Sequence, residues 1–105
     1  MNSITYSYNW NNKLDCLAFT TIRLRNDNKY FVGAIKECYL HKKYHSKVKI
    51  IAIKHFLLSD LNEFMAYIDT GYSREQTIAI IKKMYKNSNI NWATKQLSFI
   101  LQRKM

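Results

Sequence analysis

The run Ala-Phe-Thr-Thr-Ile-Arg-Leu, residues 18–24, sets two hydroxyls and a guanidinium among residues suited to burial. Read as a strand, Thr20, Ile22 and Leu24 share one face, and Phe19, Thr21 and Arg23 share the other. Thr21 and Arg23 then project together, about 7 Å apart along the strand. A hydroxyl beside a guanidinium is a compact donor set for a phosphate or a base edge. The alternative is that Arg23 pairs with a carboxylate and closes one end of the fold, with Asp69 as the candidate partner.

The other chemistry-bearing residues narrow the choice. His41 and His45 stand four apart, a metal-ligand spacing on a helix, but their flanks read as strands and no third ligand is near; no metal is expected. Cys16 and Cys38 form no CxxC pair, and the nearest cation in sequence to Cys16 is Lys13, so neither reads as a nucleophile. Both are expected to be buried free thiols. The only glycines are Gly33 and Gly71. A phosphate-cradling loop is therefore missing, which excludes the common dinucleotide and nucleoside-triphosphate enzymes, and no cofactor is expected. Trp10, Tyr30 and Tyr72 lie in or beside polar loops, where flat rings next to cations suit unstacked bases. The alternative for each ring is that it caps an end of the fold.

These residues need elements to hold them. Ile4, Tyr6 and Tyr8 alternate with small polar residues, which predicts a strand over 3–8. The Asn-rich stretch 9–15 predicts a loop or short turn, 19–24 a strand, and 25–29 a turn. Strands over 34–40 and 47–56, joined by a polar segment, predict a hairpin. In the second of them Val48, Ile50, Ala52 and Lys54 fall on one face. The period then changes: Leu61, Phe64, Met65 and Ile68 predict one apolar helical face, with Asp60 and Glu63 as a reciprocal cap. Gly71 ends that helix, and Ser73 with Gln76 repeats the capping pattern before a second. Residues 94–101 close the chain as a strand, with Leu97, Phe99 and Leu101 on one face. The expected class is α+β, with a mostly antiparallel sheet curled around two helices.

A chain of 105 residues that is 48% hydrophobic predicts a single domain over 1–105 with a proper core. With no apolar run of about 18 residues and no signal-peptide pattern, the expectation is a cytoplasmic protein with no membrane segment. The net charge is +10. Part of it reflects an AT-rich coding composition, heavy in Lys, Asn, Ile and Tyr. Residues 56–72, with Asp60, Glu63 and Asp69, are an acidic island between basic segments, so a polarised surface and a polyanion partner are expected.

Phe19-Thr20-Thr21-Ile22-Arg23, a polar loop, Lys29-Tyr30-Phe31-Val32-Gly33 opening a strand, a Leu61-x-Glu63-Phe64 helix and Asp69-Thr70-Gly71-Tyr72-Ser73 together resemble the ASCH domains of the PUA-like superfamily, over nearly the whole chain. The resemblance implies a small curled, mostly antiparallel PUA-like β-barrel with two flanking helices, and a cleft between the Thr-Arg strand and the loop joining the helices, which receives RNA or a nucleoside. Some members are amidohydrolases acting on acylated cytidine, with a Thr nucleophile that corresponds to Thr21. The lysine that such enzymes carry three residues earlier falls on Ala18 here. Their glutamate falls near Thr70, beside Asp69, and the Asp that often follows the glycine is Ala34.

The function expected is a module binding single-stranded RNA or a nucleotide, with no catalytic residues assigned. Arg23 and Thr21, with Thr20 beside them, contact phosphate or a base edge; Tyr72 or Tyr30 stacks on a ring; Asp69 accepts from an exocyclic amine or orients Arg23. Lys13, Arg25 and Lys29 supply further cations near the cleft, and Lys36, Lys42, Lys43, Lys47 and Lys49 attract the backbone without sequence preference. One alternative is an amidohydrolase in which Thr21 is helped by Asp69 and by Lys13 reaching in from its loop. Another is a protein-interaction module of the phage or mobile-element type.

Overall fold

The computed structural model describes residues 3–105. Five strands, β1 (Ser3–Tyr6), β2 (Ala18–Leu24), β3 (Ile35–Leu40), β4 (Lys43–Leu57) and β5 (Gln96–Lys104), form one sheet in the order β1-β3-β4-β5-β2. Three of the pairings are antiparallel, and only β1 with β3 is parallel. The sheet curls into a half-barrel whose edge strands, β1 and β2, approach each other without backbone pairing. Arg23 on β2 reaches across that seam and donates from Nη2 to the carbonyl of Thr5 on β1 at 2.8 Å.

The expected hairpin is present, with a tighter turn than its polar segment suggested. His41 (φ 52°) and Lys42 (φ 66°) form a two-residue left-handed turn, which matches the twist of the flanking strands. Residues 43–46 therefore join β4. That strand bulges between Ile50 and Ala52. Val48 and Ile50 are buried before the bulge, while Ala52 and Lys54 are exposed beyond it. The inserted residue shifts the pleat, so the predicted common face of 48, 50, 52 and 54 breaks there.

Two helices, α1 (Glu63–Thr70) and α2 (Arg74–Met84), follow β4. The cap of α1 is Asn62, whose side chain accepts from the Met65 N–H at 2.9 Å, not the expected Asp60. Asp60 lies in a short 3-10 turn, and the Glu63 carboxylate accepts from Arg74 N instead. The predicted apolar face is also turned away from the core: Phe64 is 81% exposed and Ile68 55%. Ala66, Asp69 and Thr70, spaced i, i+3, i+4, are buried in their place. A carboxylate with buried donors waiting for it fixes the helix rotation, and Ala66 lets the backbone come close. Gly71 (φ +81°) ends α1. The Ser73–Gln76 capping box of α2 forms as predicted.

β5 runs to Lys104 and is covered on both sides, since Leu97, Ser98, Ile100 and Gln102 are all fully buried. One core cluster lies inside the curl around Tyr6, Phe19, Val48, Ile50 and Ile100. The other, around Ile22, Phe56, Leu61, Ile81 and Leu97, lies under the helices. β1 stops at Tyr6, two residues short of the predicted strand. Both cysteines are free; Cys38 is buried as expected, but Cys16 is exposed.

Candidate functional site

The centre of the site is β2, an edge strand buried on both faces. Thr20 points toward the helices and Thr21 into the curl, and both are nearly inaccessible. The preceding 3-10 segment, Trp10–Asp15, delivers Lys13 to the Thr20 side. Asn11 (φ 58°) and Asn12 (φ 53°) within it are left-handed, a conformation that asparagine tolerates better than most residues. The Asn9 side chain accepts from Leu14 N at 2.9 Å, and Asn11 Nδ2 donates to the Tyr67 carbonyl at 3.3 Å. These bonds pin the segment to itself and to α1.

Lys13 Nζ meets Asp69 Oδ1 at 3.0 Å, with both side chains under 10% exposed. Thr20 Oγ1 donates to the same oxygen at 2.8 Å. Burial holds the Lys13 ammonium below its ordinary pKa, while the Asp69 charge acts in the opposite direction.

On the Thr21 side, Arg23 Nε donates to Thr21 Oγ1 at 3.0 Å. The Arg23 guanidinium lies 4.8 Å from the Tyr6 ring centroid, and the Lys13 ammonium 5.8 Å from the same ring. The Tyr6 hydroxyl accepts from Gln102 Nε2 at 2.7 Å. Burial pushes the Tyr6 phenol up to about 12, with Arg23 opposing. Gln102 Oε1 is buried without a hydrogen-bond partner among the described residues.

Both sides open on one cleft of about 320 Å³ at the seam. Tyr6, Tyr8 and Trp10 line it from the β1 side, Ile80, Met84 and Tyr85 from α2, and Lys13, Arg23, Thr21 and Asp69 between them. The Trp10 ring is packed against Tyr8 at 4.7 Å and edge-on against Tyr72 at 5.9 Å.

Lys13, Thr21, Arg23 and Asp69 thus converge, and Thr20 joins them through Asp69. The Arg23–Asp69 pair considered from sequence does not form, because each group is engaged elsewhere. Tyr72 stands next to Trp10, beside the cleft. Arg25 does not reach the cleft: it clasps the Asp27 carboxylate at 2.9 and 3.0 Å and also bonds Gln96. Lys29 and Tyr30 lie apart as well. Tyr30 is buried, with the ammonium groups of Lys29 and Lys36 at 5.4 and 5.9 Å from its ring, and Lys29 and Lys36, but not Tyr30, line a nearby surface hollow. No cluster of metal-ligating side chains occurs among the described residues. Sequence reasoning missed Tyr6, Tyr8 and Tyr85 as site residues. The alternation of Tyr6 and Tyr8 beside Trp10 was the available signal, but nothing in it said which strand would lie across the seam.

Among the described residues, no helix is long and apolar enough to cross a membrane. Comparison of the chain with protein-family models, with curated proteins and with solved structures gives no match, so the functional reading rests on the cleft itself.

Proposed function

We propose that the chain is an RNA-binding module of the ASCH, PUA-like kind, and that its seam cleft takes in one nucleotide of a single strand. The observation that carries this reading is the placement of two cations, Lys13 and Arg23, around one aromatic ring in a hollow with aromatic walls. A base is a flat ring with polar edges, and a phosphate is an anion; this lining offers both a partner. Lys13 and Thr20 both bond Asp69 through Oδ1, which leaves Oδ2 to accept from an exocyclic amine. The net charge of +10 adds long-range attraction.

The test is fluorescence anisotropy with labelled mixed-sequence single-stranded RNA, with a thermal melt of every variant. Wild type binds, and its affinity falls steeply with added salt. Arg23→Lys keeps the charge but loses the planar fork, and it weakens binding about tenfold while the protein stays folded. Absence of binding by wild type at low salt, or a loss in Arg23→Lys that only tracks unfolding, rejects the reading.

Hydrolysis of an acylated cytidine-type nucleoside gains support from the meeting of Lys13 and Asp69 in the cleft that Thr21 lines. The geometry favours it less. Thr21 Oγ1 accepts from Arg23, and the Lys13 amine is bonded to Asp69, so neither Arg23 nor Lys13 is placed as a free base to take the hydroxyl proton.

A further inference from the structure

Resting on the RNA-binding reading, we propose that the site holds two consecutive nucleotides, the second in an asparagine-lined groove adjoining the cleft. This groove, of about 270 Å³, lies between residues 8–12 and the turn at Gly71–Tyr72. It shares Tyr8 and Thr70 with the cleft, so the two hollows are neighbours along one surface. Each has a ring of its own. Trp10 lines the cleft and not the groove, Tyr72 lines the groove and not the cleft, and the two rings meet nearly at right angles, 5.9 Å apart. A free nucleoside occupies one such compartment; a strand is the ligand that engages both.

The groove also has polar groups suited to base or ribose edges. Asn9, Asn11 and Asn12 line it. Asn9 uses its carbonyl oxygen to cap Leu14, which leaves its amide donors, and Asn11 uses its amide on Tyr67, which leaves its carbonyl. The left-handed backbone at Asn11 and Asn12 is an uncommon conformation, held in place by these same bonds. Gly71 makes the arrangement feasible: a Cβ there would stand 3.1 Å from Asn11 Oδ1.

The experiment compares the four 5′-mononucleotides with the corresponding 5′-phosphorylated homodinucleotides by competition against labelled RNA. For at least one base, the dinucleotide binds about tenfold more tightly than its mononucleotide, the gain expected of one added stacked base. Tyr72→Ala, at a half-exposed position, removes that gain and leaves mononucleotide affinity within about twofold. Asn12→Ala, at an exposed position, reduces the gain in the same selective way. If wild type binds mononucleotides and dinucleotides equally, the groove is no subsite, while the cleft reading stands. If neither competes, the cleft reading falls and this one falls with it. A Tyr72→Ala protein that loses both ligands equally also overturns the two-nucleotide site, because Tyr72 then acts on the cleft.

Discussion

Two aspartates near the two ends of β2 each hold a cation, and they do so under opposite conditions. Asp69 and Lys13 are nearly buried in the cleft wall, with side chains only 7% and 6% exposed. Asp27 and Arg25 stand in water, with side chains 63% and 37% exposed. By hydrogen-bond geometry alone the second pair looks better, since its carboxylate is gripped twice by one guanidinium. Energetically the order reverses. In water the attraction is screened and the ordering of two side chains offsets much of it. In the interior, each charge depends on its partner because little water reaches it, and one hydroxyl on Asp69 and one ring face under Lys13 replace only part of that hydration. The difference teaches where charge carries information in this fold: a buried cation facing a hollow needs an explanation, and an exposed clasp does not.

The contrast breaks most visibly at Asp69. Asp69→Ala leaves Lys13 buried without its counter-ion and Thr20 without its acceptor, a loss of about 3–5 kcal/mol. For a domain of this size that corresponds to a fall in melting temperature on the order of 15 °C. Denaturant melts of Asp69→Ala and of Lys13→Met/Asp69→Ala separate the causes. The double variant recovers most of the loss, because an uncompensated charge, rather than a lost contact, is the source. A double variant as unstable as the single one would show that Asp69 stabilises by packing.

The same distinction decides what could be read from the sequence. Strand and helix periods follow from short-range sterics and burial patterns, so β2, the hairpin and both helices were legible, as was the capping box at Ser73. The rotation of α1 was not. Periodicity favours burying Phe64 and Ile68, and only knowledge of where Lys13 and Thr20 wait, some fifty residues away in sequence, turns Asp69 inward. The bulge at Ile51 was hidden for a related reason: a run of β-branched residues fits either face. For the site, Thr21 and Arg23 were legible because residues two apart on any strand project to one side. Their separation from Arg25 was not, because that depends on the turn at Asp27 folding back to hold it.

Tyr6 extends the comparison along the pH axis. Burial disfavours the phenolate and pushes its folded pKa from the ordinary 10.0 up to about 12. A raised folded value means stability that is complete below pH 10 and is lost as pH rises toward 12. That rise corresponds to roughly 3 kcal/mol. Cys38, raised to about 11 by burial, acts in the same sense from its own ordinary value of 9.0 upward. Lys13 works against both: its lowered folded value makes the unfolded chain bind more protons below pH 10.5, so its contribution rises with pH. Urea melts at pH 9, 10 and 11 show a falling midpoint in the wild type. Tyr6→Phe, lower at neutral pH through loss of the Gln102 bond, falls less steeply from pH 10 upward. Parallel curves would remove Tyr6 as the source.

Arg25→Ala is the smallest expected effect and the sharpest check on the contrast. The hydrogen bonds from Arg25 hold the Asp27 carboxyl below its ordinary pKa of 3.8, so the pair contributes above that pH and loses its contribution as pH falls through the lowered value. Both groups are exposed, so at neutral pH and physiological salt the melting temperature of Arg25→Ala is indistinguishable from that of the wild type. Under the proposed RNA-binding function, affinity loses at most the share of one non-specific cation, seen as a slightly shallower salt dependence. An Arg25→Ala variant that loses as much affinity as Arg23→Lys would instead run the strand past the seam toward Gln96. The clasp with Asp27 would then be a resting partner that RNA displaces, and exposure would no longer separate the charge that binds from the charge that only decorates.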